Sequence, residues 1–215
     1  PEPSPDVDRA RQLYREHASH YDRRIKYLNP LRRRVIGKLQ LRDGDHVLDM
    51  GSGTGASFDV LRDAVGSSGR VTGVELSEEM AAVARKRIDD HGWTNVEVIV
   101  GDASTVPLPT DVDGVLFFLV HDLTRTTEVV QRAVASGRPG ARVVALGPVS
   151  APRWAIPVNV IGRTIARRYI TTFEGFDAPW THLAVELPGL RVRRILGGGV
   201  YVATGTVSHS SDVAR

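Results

Sequence analysis

The 215-residue sequence predicts one α/β domain: a seven-stranded, mostly parallel sheet with helices on both faces and an antiparallel hairpin at its C-terminal end. Three observations predict it. Between residues 46 and 147, short apolar β-type runs alternate with helical patterns, the rhythm of parallel strands joined by right-handed crossovers. The first run leads straight into a glycine-rich turn, Gly51-Ser52-Gly53-Thr54-Gly55. Two last β-type runs flank Gly197-Gly198-Gly199, a connection too short for a crossover and suited to a hairpin.

Taken in order, residues 6–20 and 31–39 carry helical patterns, the second with Arg32-Arg33-Arg34 on it. Residues 46–50 (HVLDM) form a short buried strand, followed by the glycine turn and a helix through about Val65. Residues 70–75 (RVTGVE) are the second strand, and Ser77 is placed to cap a helix running to Asp90. Residues 95–100, 112–119 and 141–146 are three more strands, with a helix over 126–136 between the last two. Prolines at 148, 152, 157, 179 and 188 then break the rhythm around two helices, 158–170 and one from about 179 to 186. Strands over 190–196 and 200–207 close the sheet. The expected organisation is an amino-terminal helical cap (1–45), a ligand-binding core (46–147), an insertion covering the substrate (148–190) and the hairpin (191–208).

Cysteine is absent, which excludes disulfide scaffolds, zinc-thiolate sites, iron-sulfur clusters and thiol nucleophiles. No apolar run is long enough to span a bilayer and the first fifteen residues are polar, so the expectation is a soluble, cytoplasmic protein; no metal is implied. The net charge is +3, but unevenly spread. Residues 1–45 hold 11 basic and 7 acidic groups, residues 46–150 hold 9 and 14, and residues 151–173 hold 4 basic and none acidic. The core is therefore acidic. The basic flanks suit a solvated face, a guard for an anionic substrate, or a membrane surface.

A strand feeding a glycine turn is a ligand site by geometry, because glycines let backbone amides approach the ligand. Asp49 precedes the turn, and Glu75 ends the second strand, where an acid can accept both hydroxyls of a ribose. Gly51, Gly53 and Ala56 also satisfy the dinucleotide pattern G-x-G-x-x-G/A, which alone is weak. Against it, Asp49 would repel a pyrophosphate yet could bind an amino acid's ammonium, directly or through water. Asp102, after the third strand, could accept from an adenine amino group, and the hairpin is unusual for a nicotinamide domain. A P-loop is excluded because no Lys-Ser or Lys-Thr follows the glycines.

At this point the residues resemble a family, the class I S-adenosylmethionine-dependent methyltransferases with their Rossmann-like sheet. VLDMGSGTG (47–55) is similar to their first motif, GVELSEEM (73–80) to the ribose-binding motif and VGDASTVPLP (100–109) to the adenine-binding motif. VDGVLFFLVHDL (112–123) and RPGARVVALG (138–147) fall where the fourth strand and the turn into the fifth belong. The resemblance covers roughly residues 14–207. YREHASHYD (14–22) is similar to the opening segment of the ubiquinone/menaquinone and phosphatidylethanolamine type, which closes over the cofactor; a plain apolar helix face carrying Tyr14, Ala18 and Tyr21 reads equally well.

The resemblance implies S-adenosylmethionine as cofactor, with S-adenosylhomocysteine as product. It implies a cofactor site of Tyr14, Tyr21, Asp49, Gly51, Ser52, Gly53, Thr54, Gly55, Glu75, Leu76, Met80, Gly101, Asp102, Ala103 and Leu119. Methyl transfer asks the protein chiefly for alignment and exclusion of water, and for a base only when the acceptor must lose a proton. His121, just past the fourth strand, is the candidate base, being titratable near neutrality, with Asp122 to orient it; a structural loop histidine is the competing reading. His17, His20 and His182 are weaker candidates. The expected acceptor is a small or lipid-like molecule. Competing classes are a cofactor-binding protein with a non-methylating role (cyclase or regulator), a nucleic-acid methyltransferase and a dinucleotide oxidoreductase. The nucleic-acid class lacks the Asn/Asp-Pro-Pro-aromatic signature after the fourth strand, where FFLVHD stands, and has no cysteine to attack a pyrimidine, so no nucleic-acid partner is expected.

Overall fold

The computed structural model describes residues 26–152 and 175–208. The helices expected over 6–20 and 158–170, with Tyr14, His17, His20 and Tyr21, lie outside the described residues.

The sheet has seven strands in the order β3-β2-β1-β4-β5-β7-β6: β1 (His46–Met50), β2 (Arg70–Glu75), β3 (Val96–Val100), β4 (Val112–Phe118), β5 (Gly137–Pro148), β6 (Arg191–Ile195) and β7 (Val200–Thr206). Strands β1 to β5 are mutually parallel, and β7 runs antiparallel between β5 and β6. The mostly parallel sheet and its C-terminal hairpin are thus as the sequence predicts. The chain steps outward from β1 to β2 and β3, then returns to place β4 on the other side of β1. That reversal leaves a crevice at the carboxyl ends of β1 and β4, where ligands of such sheets bind.

Continuous apolar runs follow from burial on both faces. Val47 and Leu116 pack with Phe58, Leu61, Val71 and Ala84 on one face, while Leu48, Met50, Val74 and Phe117 join Val130, Val143 and Tyr201 on the other. The helices are α1 (Asn29–Ile36), α2 (Phe58–Val65), α3 (Glu78–His91), α4 (His121–Thr124), α5 (Thr127–Ala135) and α6 (Thr181–Glu186). Ser77 caps α3 as expected, its Oγ accepting from the Met80 amide at 3.3 Å, and Gly92 ends it in the left-handed region.

Three elements differ from the sequence reading. Strand β5 begins at Gly137, four residues early, because Val112 pairs with Gly137 while Gly114 pairs with Arg142. The irregularity turns the exposed Arg138-Pro139-Gly140 stretch outward, and the Gly140 amide bonds the Val207 carbonyl at 2.9 Å. Helix α2 starts at Phe58, so residues 51–57 form successive turns instead of opening the helix at once. Helix α4 is one turn, below the reach of periodicity. Leu119 leaves β4 with φ 61°, and the Thr124 and Thr126 hydroxyls donate to the carbonyls of His121 and Asp122.

Candidate functional site

The carboxyl ends of β1 and β2 bring Asp49 and Glu75 into neighbouring register, Asp49 opposite Gly73 and Met50 opposite Val74. Both acids are buried. Glu75 organises the loops on either side of it. Its Oε2 accepts from the Gly53 amide at 2.8 Å and its Oε1 from the Ser77 amide at 2.9 Å, while its carbonyl takes the Gly101 amide at 2.9 Å. Glu75 therefore ties the glycine turn and the start of α3 through its carboxylate, and the loop after β3 through its carbonyl. The Leu76 amide also favours the charged carboxylate, which keeps acceptor capacity for a ligand hydroxyl. Burial pushes the Glu75 carboxyl upward against the opposing pull of those backbone N–H groups.

The glycine turn is spent differently from a phosphate cradle. The amides of Gly51 and Ser52 both donate to the Val74 carbonyl, at 2.8 and 2.9 Å, and that of Gly53 goes to Glu75. The turn is held against β2 and does not offer its N–H groups to an anion, and α2 begins only at Phe58. Gly51 could not be another residue: φ is +70°, and a Cβ there would stand 2.5 Å from Val120 and 3.0 Å from Leu123. At Gly53 the nearest neighbour of such a Cβ is the Met80 methyl, 3.7 Å away, which leaves the outer face of the turn open beside Met80.

Asp49 is 2% exposed, and among the described residues its Oδ2 has no hydrogen-bond partner. Burial lifts its pKa to about 7; the Arg32 charge opposes this rise and the Glu75 carboxylate adds to it. An orphaned buried carboxylate oxygen is rare and costly, and a cationic ligand group relieves it. Arg32 itself is 3% exposed, with its guanidinium 4.9 Å from the Phe118 ring centroid. In the sequence Arg32 is one of three consecutive arginines. A signal existed: Arg32, Val35, Ile36 and Leu39 share one helical stripe, so this arginine alone of the three occupies the apolar face.

After β3, Gly101 has φ 146°, and Asp102 Oδ1 accepts from both the amide (2.8 Å) and the hydroxyl (2.7 Å) of Ser104, while Ala103 is buried. The described cofactor candidates thus gather at one edge of the sheet: Asp49 and Glu75 at the carboxyl ends of β1 and β2, residues 51–55, Leu76, residues 101–103 and Leu119 on the loops that follow β1 to β4, and Met80 in the first turn of α3.

His121 is 3% exposed, with neither ring nitrogen hydrogen-bonded among the described residues, and its ring lies 5.4 Å from that of Phe176. Burial, with the Arg125 charge behind it, lowers its pKa to about 4. The titration near neutrality expected from the sequence is corrected accordingly, because the desolvated imidazole stays neutral. Asp122 does not orient it by a hydrogen bond, since the ring takes none among the described residues. His182 is elsewhere, on α6, with its Nδ1 3.1 Å from the Thr127 hydroxyl. Phe176, which walls His121, was not singled out from the sequence; it follows the 153–174 stretch, and nothing local marks it.

Comparison with known proteins places this geometry. Residues 47–140 match a family model described as a methyltransferase domain. The chain is 33% identical to aklanonic acid methyltransferase of Streptomyces sp. (strain C5) over 99 residues, 46% of this chain and 45% of that one. It is 25% identical to demethylmenaquinone methyltransferase of Anoxybacillus flavithermus over 146 residues, 65% and 62% of the two chains. It therefore spans less than two thirds of the length of these relatives. A solved S-adenosylmethionine-dependent methyltransferase from Aquifex aeolicus superposes with a TM-score of 0.58 at 22% identity, over 82% of this chain and 89% of that one. Residues 47–140 are thus similar in sequence to a methyltransferase domain, and the seven-stranded sheet that carries the acids at the ends of β1 and β2 shares the fold of S-adenosylmethionine-dependent methyltransferases.

Proposed function

We propose that the protein transfers a methyl group from S-adenosylmethionine to a small-molecule acceptor and releases S-adenosylhomocysteine. The observation that carries this reading is the pair of buried acids at the switch point. Glu75 keeps acceptor capacity for a ribose hydroxyl beyond its backbone partners, and the orphaned Asp49 Oδ2 suits the ammonium of the methionine end. Asp102 Oδ2, which takes no hydrogen bond within the described residues, suits the adenine amino group. The amides of Gly51, Ser52 and Gly53 are already committed to Val74 and Glu75, which argues against a dinucleotide's pyrophosphate.

When bound, the cofactor supplies a methyl group on a positively charged sulfur, an activated electrophile. The chain's own contribution is to hold, align and exclude water. Beyond β4 the neutral His121 and Phe176 rings lie 5.4 Å apart, and Phe118, at the end of β4, carries the Arg32 guanidinium over its ring. His121 can accept a proton at one ring nitrogen while the other donates. Relatives named for aklanonic acid and demethylmenaquinone support a small organic acceptor. The division of the chain into a cap (1–45), core (46–147), acceptor cover (148–190) and closing hairpin (191–208), the cofactor contacts of Tyr14 and Tyr21, and a cytoplasmic setting without nucleic acid belong to the same proposal on sequence grounds. Among the described residues no helix is long and apolar enough to cross a membrane.

Calorimetry with S-adenosylmethionine, S-adenosylhomocysteine and NAD, followed by methyl incorporation across a metabolite extract, tests the reading. Saturable binding of the first two and labelling of a small molecule are expected. NAD binding with no heat from S-adenosylmethionine would overturn it.

A further inference from the structure

The loop after β3 is held from outside by a residue that no motif contains. Arg132, on α5, donates through Nη1 to the Ala103 carbonyl at 2.9 Å and through Nη2 to the Val106 carbonyl. One planar guanidinium thus spans the turn that begins at Asp102, a geometry lysine's single ammonium reproduces poorly. Its helix is fixed to the sheet by the buried residues Val129, Val130, Ala133 and Val134, so the arginine works from a rigid base.

Inside the loop, the Asp102 carbonyl accepts the Thr105 and Val106 amides, both at 2.9 Å, and Asp102 Oδ1 is taken twice by Ser104. Gly101 permits the tight start: with φ 146°, a Cβ there would lie 2.4 Å from the Val106 side chain. The internal bonds fix the shape of the turn, while the arginine fixes where the turn stands against the sheet. Their combined result is one carboxylate oxygen, Asp102 Oδ2, without a hydrogen-bond partner among the described residues and carried on a turn whose first residue, Gly101, is anchored to the Glu75 carbonyl.

We propose that Arg132 is a positioning residue for recognition of the 6-amino group of the cofactor's purine: by gripping the carbonyls of Ala103 and Val106 it holds Asp102 where its second oxygen can select an amino donor over a carbonyl. This rests on the S-adenosylmethionine reading above. Arg132 touches no ligand itself. A carboxylate facing an amino group gains a charge-assisted hydrogen bond, whereas facing the carbonyl of hypoxanthine it meets repulsion. Selectivity for adenine then depends on the carboxylate staying in place, and a loose loop would let it turn away from the wrong base at little cost.

The test is calorimetry of S-adenosylhomocysteine and its 6-oxo analogue, S-inosylhomocysteine, on the full chain and on Arg132→Met and Arg132→Lys. The wild type is expected to prefer the adenine ligand by about 10- to 100-fold, the worth of one charge-assisted hydrogen bond. Arg132→Met should bind S-adenosylhomocysteine about tenfold more weakly and retain a preference of only about threefold, with Arg132→Lys in between. Should Arg132→Met fail to fold, Arg132→Lys alone carries the comparison. A variant that loses affinity for both ligands equally, keeping the wild-type preference, would reduce Arg132 to a merely structural residue and overturn the inference. So would a variant indistinguishable from wild type. A wild type that binds neither ligand refutes the cofactor reading, and this inference with it.

Discussion

Affinity for S-adenosylmethionine should peak near neutral pH and fall on both sides, for a reason located at Asp49. The empty site holds that carboxyl at about pKa 7 because it is buried, with Glu75 adding to the rise and Arg32 restraining it. To hold an ammonium, Asp49 must be ionised and the ligand's amino group protonated; an α-amino group titrates near ~7.8. The apparent dissociation constant is the intrinsic one divided by the competent fractions of both partners. With those two values, about half of all encounters are competent at pH ~7.4 and about a tenth at pH ~6, a loss of roughly fivefold that steepens toward tenfold per unit below. Above pH ~8 the amine deprotonates and affinity falls again.

The same scheme fixes the proton count. Binding at pH ~6 should release close to one proton from Asp49, and binding at pH ~8.5 should take up most of one onto the amine, with the sign changing between the two pKa values. Calorimetry in two buffers of different ionisation enthalpy reads this directly. Asp49→Asn should bind weakly and lose the acidic limb while keeping the alkaline one. Arg32→Met, which removes the charge opposing the rise, should move the acidic limb to higher pH. An affinity flat from pH ~5.5 to ~7.5, with heats independent of buffer, would refute the assignment of Asp49 to the ammonium.

Glu75→Ala should weaken S-adenosylhomocysteine binding by about 1.5–3 kcal/mol, the range of hydrogen bonds to a charged group, as read by calorimetry. Because the folded pKa of Asp49 lies above the unfolded value, the folded state binds the extra proton, and the contribution of Asp49 to stability is lost as pH rises from ~4 to ~7. Asp49→Asn should therefore raise the melting temperature of the ligand-free protein at pH ~8 while leaving it nearly unchanged at pH ~4. His121 has the opposite sign: its folded pKa is depressed to about 4, so its contribution is present above pH ~6.5 and is lost as pH falls toward 4, and His121→Phe should flatten denaturation midpoints across that window. If His121 is the base, His121→Phe should also cut kcat about 10²- to 10⁴-fold with cofactor affinity intact, yet the wild-type rate should show no limb between pH ~5.5 and ~7.5 from this group; such a limb, abolished by the substitution, would contradict the burial argument.

What was legible in the sequence was whatever repeats along the chain or carries its reason within a few residues. Strands β1 to β4 announced themselves as continuous apolar runs because both faces of the sheet are covered, and Ser77 signalled the start of α3 because its cap is a local bond. Asp49 and Glu75 were readable from their places at strand ends. What those acids do to each other was not, since the lift on Asp49 depends on Arg32, seventeen positions earlier, and on Glu75 in the neighbouring strand. His121 shows the same divide. Its position after β4 is a sequence fact, but its neutrality comes from burial against Phe176, fifty-five positions away. Arg132 is the extreme case, an unremarkable arginine on an amphipathic helix until α5 is laid beside the loop after β3. The residues that bind can be read from motifs because close approach to a ligand constrains type and spacing. Those that set the charge and stance of the binders are chosen by contact across the fold, and an arginine or a phenylalanine serves that purpose at any position the topology brings near.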